Sequence, residues 1–279
     1  MKPKFEIFGG LGNQIHQYAA ALYFEKKYDV KFIFSIDFIG SFKSIHNGYE
    51  LENVFNLNVN VNSSPYFFRL LKIFFVKFLY FLAQKKIFSP FILTDHNRIT
   101  NISSHHKLFY GYWHSKNILV DIRNELKGKL KFSLPINAKL SMYSQLVSKT
   151  NAVSIHVRKS DYLNSEHDIC DIDYYINAID IIKKKIGSPI FYIFTDDESW
   201  VLDNLCEVIP NTTVVNAFKD SQSYLDMYLM SKSKNLIIPN STFSFWSAYL
   251  SQDLEKLIYP KRWNLSEVLS TIDCEKYRV

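Results

Sequence analysis

Apolar and polar residues follow two rhythms along this chain. Short apolar runs bounded by turns predict strands, and apolar residues three or four positions apart predict helices. Lys4 to Phe8 is one such run, and it enters Gly9-Gly10-Leu11-Gly12-Asn13-Gln14. Ile15, Tyr18, Ala19, Leu22 and Tyr23 then share a helical face, and Val30 to Ile36 is the next strand. Strand, glycine turn, helix and strand open a doubly wound α/β unit. Further on, Lys107 to Trp113 reads as an aromatic strand and its end, and Ile118 to Leu126 as a helix.

The rhythm restarts after a Lys- and Gly-rich stretch, Asn124 to Pro135, which reads as the start of a domain junction. Ala138 to Ser148 predicts a helix and Ala152 to Ile155 a buried strand. Tyr174, Ile176, Ala178, Ile179, Ile181 and Ile182 predict a helix, and Pro189 to Thr195 a strand. A short helix at Trp200 to Leu205, a helix at Ser221 to Ser231 and a strand at Asn235 to Pro239 follow. A helix ending at Leu250 and a last strand, Lys256 to Tyr259, close the series. The economical architecture is α/β: two doubly wound, Rossmann-like domains facing across a cleft, residues 1–135 and 136–279.

Pro65 to Phe88 departs from this pattern. On a helical wheel Arg69, Lys72, Lys77, Tyr80 and Gln84 form one narrow polar sector, and Phe and Leu fill the rest. Lys77 interrupts the run, and a spanning helix needs roughly 20 apolar residues, so no transmembrane segment is expected. The preferred reading is a helix packed into the core or against the other domain. The alternative is a basic helix lying on an anionic membrane.

Composition narrows the partners. The chain has 279 residues, 47% hydrophobic and 22% charged, as globular domains do. A net charge of +6 suits nucleic acid, an anionic membrane or a phosphorylated substrate. No Arg-rich tail or RNA-binding signature is present, so nucleic acid is the least supported. Cys170, Cys206 and Cys274 form no CxxC pair and no zinc pattern, and are expected to be reduced thiols in a cytosolic protein. Glu6 and the glycines after it argue against a signal peptide.

Candidate chemistry gathers at strand ends, where α/β sheets bind ligands. His156-Val157-Arg158-Lys159-Ser160-Asp161 leaves a buried strand. An Arg fork there suits a diphosphate; the alternative is an Arg–Asp pair holding a turn. Asn240-Ser241-Thr242-Phe243-Ser244 sits between strand and helix, where backbone N–H groups, hydroxyls and the helix dipole would hold an anion. The alternative is that Ser241 or Thr242 merely caps the helix. Asp196 and Asp197 would accept from a guanine ring or cap a helix. Asp171 and Asp173 spell the Asp-x-Asp of metal-dependent glycosyltransferases, but they precede a helix, and first-turn capping is preferred. Gly10 and Gly12 are followed by Ile15, not a third glycine, so the dinucleotide fingerprint fails. Asn13 and Gln14 would reach a bound sugar or cap the helix.

Taken in order, several segments resemble one family. They are Gly9-Gly10-Leu11-Gly12-Asn13-Gln14-Ile15-His16-Gln17-Tyr18, Tyr112-Trp113, His156-Val157-Arg158, Asp173-Tyr174-Tyr175, Phe194-Thr195-Asp196-Asp197, Asn240 to Trp246, and Pro260-Lys261-Arg262-Trp263. The set is similar to the bacterial α-1,2-fucosyltransferases of glycosyltransferase family 11, over nearly the whole chain. The resemblance implies a GT-B fold with the donor held by the C-terminal half. It implies GDP-fucose as donor, no metal or other cofactor, and inverting transfer to O2 of a galactose in a surface oligosaccharide, as in O-antigen or lipooligosaccharide assembly. The acceptor would be galactose-terminated and lipid-linked, with the enzyme cytoplasmic and peripheral on the inner face of the inner membrane.

The family loop is usually His-Val-Arg-Arg-Gly-Asp, so Lys159 and Ser160 replace its last Arg and its Gly. His16 stands where the family has Phe, and His114 where it often has Gln. The donor residues implied are His156, Arg158, Lys159, Asp196, Asp197, Asn240, Ser241, Thr242 and Ser244. Gly10, Gly12, Asn13, Gln14, Trp113 and His114 would line the acceptor cleft. Arg158 would stabilise the leaving diphosphate, and Asp37, Asp161 and His16 are candidate general bases.

Overall fold

A computed structural model describes residues 2–39, 47–87, 89–95, 102, 105–160, 162 and 165–279. They form two compact units, Met1–Ser133 and Leu134–Val279. Each is built on a parallel sheet with helices in the connections, as strand–helix alternation requires.

The N-terminal sheet comprises β1 (Lys4–Glu6), β2 (Ile33–Ser35), β3 (Val61–Asn62), β4 (Ile92–Thr94) and β5 (Leu108–Tyr110), in spatial order β3-β2-β1-β5-β4. The C-terminal sheet comprises β6 (Ala152–Val157), β7 (Ile190–Thr195), β8 (Thr212–Val214), β9 (Asn235–Ile237), β10 (Lys256–Tyr259) and β11 (Glu275–Arg278). Its order, β11-β10-β9-β6-β7-β8, is the 3-2-1-4-5-6 order of dinucleotide-binding folds. In both sheets the first strand is central and the winding reverses beside it. The reversal points lie between β1 and β5 and between β6 and β9.

The C-terminal unit follows the sequence closely. Every residue of β6 is buried, as a central parallel strand demands. Helix α7 (Ile172–Lys185) covers it with Tyr175, Ala178, Ile179 and Ile182. Asp171 accepts from the Tyr174 amide at 2.9 Å, so the Asp-x-Asp opens this helix, and Lys183 to Lys185 close it against the dipole. Lys256 to Tyr259 is not the last strand: β11 pairs parallel with β10 beyond it. Strand β11 has exposed Glu275 and Arg278 on either side of half-buried Lys276 and Tyr277, so it lacks the apolar run that marks buried strands. The helix expected over Ile118 to Leu126 is two, α4 (Lys116–Asp121) and α5 (Arg123–Lys129), broken at Ile122.

The largest departure is α3 (Tyr66–Gln84), whose orientation inverts the preferred core reading. Phe67, Leu71, Phe74, Phe75, Phe78 and Phe81 are 53–71% exposed. Ile73, Val76 and Ala83 form the buried stripe, and Lys72 lies on the same inward side. The Lys72 Nζ donates to Ser35 Oγ at 2.8 Å, to Asp37 Oδ2 at 2.7 Å and to the Glu6 carboxylate. Both carboxylates are fully buried, so charge pairing acts together with the Ile73, Val76 and Ala83 stripe to set the rotation of the helix. Among the described residues no helix is long and apolar enough to cross a membrane.

Candidate functional site

At the reversal point of the C-terminal sheet, three strand ends lie side by side. Strand β6 pairs with β7 through Val157 and Thr195, and with β9 through Ile155 and Ile237. Asp196, leaving β7, gathers the loop that leaves β6. Its Oδ2 meets Arg158 Nε at 3.0 Å, and its Oδ1 accepts from the Lys159 and Ser160 amides at 2.8 and 3.3 Å. The Arg–Asp pair considered from sequence is therefore made by Asp196, which orients the guanidinium. That use also takes up the carboxylate expected to read guanine. Asp161 lies outside the described residues.

The two family departures fit this loop. The Lys159 ammonium is buried, 2.6 Å from Asp168 Oδ1 and 4.6 Å from the centre of the Trp200 ring. These are point-charge contacts that need no bidentate fork. They make Lys159 a loop anchor and not a ligand-facing cation. Ser160 Oγ donates to the Asp196 carbonyl at 2.7 Å, a bond glycine would lack. Asp197 caps α8 (Glu198–Val201) by accepting from the Trp200 amide at 3.0 Å, the capping alternative.

Helix α10 (Thr242–Leu250) starts beside this loop. Ser241 occupies its N-cap position, yet its hydroxyl makes no capping bond, and no acid stands in the first turn. The first-turn amides have no intrahelical acceptor by helix geometry, and the dipole adds partial positive charge. The buried Ser244 hydroxyl donates to the Ser241 carbonyl at 3.2 Å, and Thr242 is half-buried at the opening. The Asn240 side chain faces the 162–170 loop, donating to the His167 carbonyl at 3.0 Å and accepting from Cys170 Sγ at 3.6 Å.

Tyr162 joins the two halves of the site. Its ring lies 5.7 Å from the Arg158 guanidinium and its hydroxyl donates to the Asn240 carbonyl at 3.4 Å. The buried His156 ring lies 5.7 Å from Phe243 of α10. Burial, and then the neighbouring Arg158 charge, push its pKa down to about 3, so it is neutral near pH 7. Among the described residues its Nδ1 has no hydrogen-bond partner.

The reversal point of the N-terminal sheet is closed by side-chain amides. Gly10 is the N-cap of α1 (Leu11–Tyr28), and Gly12 lies buried in its first turn. Gln14 donates to the carbonyls of Gly9 and Gly48 at 2.9 and 2.7 Å and accepts from the Glu50 amide at 3.0 Å. Gln17 accepts from the Phe8 amide at 2.9 Å and donates to the Gly111 carbonyl at 3.4 Å, bridging the ends of β1 and β5. Gly9 has φ +75°, and a Cβ there would lie 2.9 Å from Asn13 Nδ2. A Cβ on Gly111 would lie 2.5 Å from the Asp95 carboxyl carbon, whose Oδ2 accepts from the Tyr112 and Trp113 amides.

Several expected acceptor residues are interior. Trp113 is buried against Phe5 and Phe24, with ring centres 5.6 and 5.3 Å away, so it is a core residue and not a cleft wall. His16 is fully buried against His114, ring centres 4.5 Å apart. Burial drives the His16 pKa well below its ordinary value and lowers that of His114 to about 4. Asp37 is buried; burial pushes its carboxyl up, but Lys72 and Ser64 outweigh this and hold it at about 2. A carboxylate held that low, with both oxygens accepting, is a weak base.

The glycosyl transferase family 11 model matches residues 4–278. The chain belongs to this family. It is 28% identical to an alpha-1,2-colitosyltransferase of Escherichia coli, covering 96% of this chain and 94% of that one. It is also 28% identical to the O-antigen biosynthesis glycosyltransferase WbnK of Escherichia coli, covering 92% and 93%. Among solved structures, NodZ alpha-1,6-fucosyltransferase soaked with GDP-fucose superposes with a TM-score of 0.60 at 13% identity, covering 98% of this chain and 97% of that one. At that identity the likeness speaks for the fold, a GT-B-type α/β fold with two parallel-sheet units.

One residue of this family 11 glycosyltransferase, Asp226, stands outside every sequence motif, and another, Tyr112, takes the place expected of Trp113. Asp226 lies on α9 (Tyr224–Ser231), between buried Leu225 and Met227. Its Oδ1 is buried with no hydrogen-bond donor among the described residues, and burial raises its pKa well above the ordinary value. A lone acid inside an apolar helix face was the available signal. Tyr112, and not Trp113, is the exposed aromatic at the end of β5, 41% exposed and stacked on His114 at 5.6 Å.

Proposed function

We propose that this glycosyltransferase moves L-fucose from GDP-fucose to O2 of a galactose in a surface oligosaccharide, with inversion and without a bound metal. The C-terminal unit takes the donor and the N-terminal unit the acceptor. The observation that carries this reading is the reversal point between β6 and β9. There the Arg158 guanidinium and the uncapped start of α10 sit on neighbouring strand ends, tied through Tyr162. Departing GDP carries two phosphates, and its leaving is eased by fixed positive charge and amide dipoles. With Asp196 holding the loop and Asp197 capping α8, the His156 ring beside α10 is the group suited to a guanine edge. A cytoplasmic nucleotide sugar as donor places the enzyme in the cytoplasm, and the O-antigen relative suggests a lipid-linked acceptor.

The colitosyltransferase relative favours a second reading with the same site. Colitose is L-fucose without its 3-hydroxyl, so a donor pocket needs little change to prefer it. Mass spectrometry separates the two: purified protein is incubated with chelator, GDP-fucose or GDP-colitose, and a panel of β-galactosides. The first reading predicts a product heavier by one deoxyhexose from GDP-fucose. Transfer from GDP-colitose alone replaces the first reading with the second. Transfer only after Mn²⁺ is restored contradicts the metal-free site.

A further inference from the structure

We infer that the outer face of α3 is a docking surface for an anionic phospholipid bilayer, on which the helix lies flat. Phe67, Leu71, Phe74, Phe75, Phe78 and Phe81 form a continuous exposed stripe along the helix, and exposed Ile87 and Phe91 extend it beyond the C-terminal end. An apolar surface of this extent on one helix marks an interaction site and not incidental exposure. The rotation that presents it is fixed from inside. Lys72 is held by Ser35, Asp37 and Glu6, so turning the Phe stripe inward would leave two buried carboxylates without their cation.

Charge selects the occupant. Between Glu52 and Asp95 the sequence holds Arg69, Lys72, Lys77, Lys85 and Lys86 and no acid. Lys77, Lys85 and Lys86 are exposed on the helix and just past it. Aromatic and aliphatic side chains enter the interface between headgroups and acyl chains, and flanking lysines reach anionic headgroups. A second copy of this chain fits poorly: a two-fold contact sets the patch against itself, lysines facing lysines with no acid between them. A convex Phe ridge also needs a yielding partner, which a bilayer is.

The test is co-sedimentation of the full chain with vesicles of phosphatidylcholine containing about one-third phosphatidylglycerol, against phosphatidylcholine alone. The wild type is expected to partition at least about tenfold more strongly to the anionic vesicles. Phe74→Ser with Phe78→Ser should abolish binding while circular dichroism and turnover of a soluble acceptor stay unchanged, since both side chains face outward. Lys85→Glu with Lys86→Glu should weaken binding by about tenfold or more and leave the rest intact. No sedimentation of the wild type with anionic vesicles overturns the inference. So does sedimentation velocity showing a dimer that the Phe74/Phe78 variant dissociates, with no lipid binding; the face is then an interface between copies. The readout is lipid partition, so it stands or falls separately from the donor reading.

Discussion

The two units reach a reversal point by the same route, yet they furnish it in opposite ways. In the N-terminal unit the neighbouring strand ends are stapled by Gln14 and Gln17, whose amides satisfy the backbone of Phe8, Gly9, Gly48, Glu50 and Gly111. The surrounding rings of Trp113, His16 and His114 are packed inward. In the C-terminal unit the strand ends carry a clamped guanidinium, an uncapped helix start and a buried His156 ring whose Nδ1 has no hydrogen-bond partner among the described residues. Parallel-sheet topology supplies a concave place in both, but only loop chemistry makes one of them suited to an anion. The difference is one of charge and not of polar satisfaction: Trp113 Nε1 and His114 Nε2 also lack a hydrogen-bond partner among the described residues, but the C-terminal turn presents a guanidinium and an uncapped helix start to an anion.

The largest expected effect breaks the C-terminal side of this contrast. Arg158→Ala should lower kcat/KM by about 10³-fold, near 4 kcal/mol of transition-state stabilisation, with thermal stability little changed. Arg158→Lys should recover part of that, since charge returns without the fork. On the N-terminal side, Lys72→Met should destabilise by about 3 kcal/mol or more in urea unfolding, because Glu6 and Asp37 lose their cation. Gln17→Ala should cost about 2 kcal/mol, leaving the Phe8 amide and the Gly111 carbonyl unpaired. If Gln17→Ala instead leaves stability intact and raises the acceptor KM alone, the N-terminal turn is a binding site after all.

A further effect is a pH dependence. Burial raises the Glu6 pKa to about 7, against the opposing Lys72 charge. The folded state thus binds this proton more tightly than the unfolded chain. The stability it contributes is full below about 4.5 and is lost as pH rises through about 7. Asp37, held at about 2, behaves oppositely, losing its contribution only as pH falls below about 4. Glu6→Gln should therefore flatten the stability profile between pH 4.5 and 7 without touching the acid limb.

Much of the fold was legible where burial imposes a clear period. Strand β6, helix α7 and the β9–α10 turn follow from apolar runs and from helical spacing of buried residues. Strands β3, β4, β8 and β11 are short edge or near-edge elements whose pairing, not composition, defines them. Helix α3 was misjudged because an apolar face normally turns inward, and Lys72 gave no local sign that two buried acids from other elements would claim it. At the site, strand ends announced Arg158 and Ser241, but the sequence could not say which carboxylate would hold the arginine. Asp196 does so because β7 pairs beside β6, a long-range fact. Asp226 was hidden in a helix remote from every motif.

The proposed diphosphate site consists of Arg158 and the start of α10. Titration calorimetry of GDP into the wild type and Arg158→Ala, both in chelator, tests it most directly. The prediction is measurable binding by the wild type and a loss of about 30-fold or more in the variant, the share expected of a charge-assisted guanidinium–phosphate contact. Equal affinity in the two proteins would contradict it.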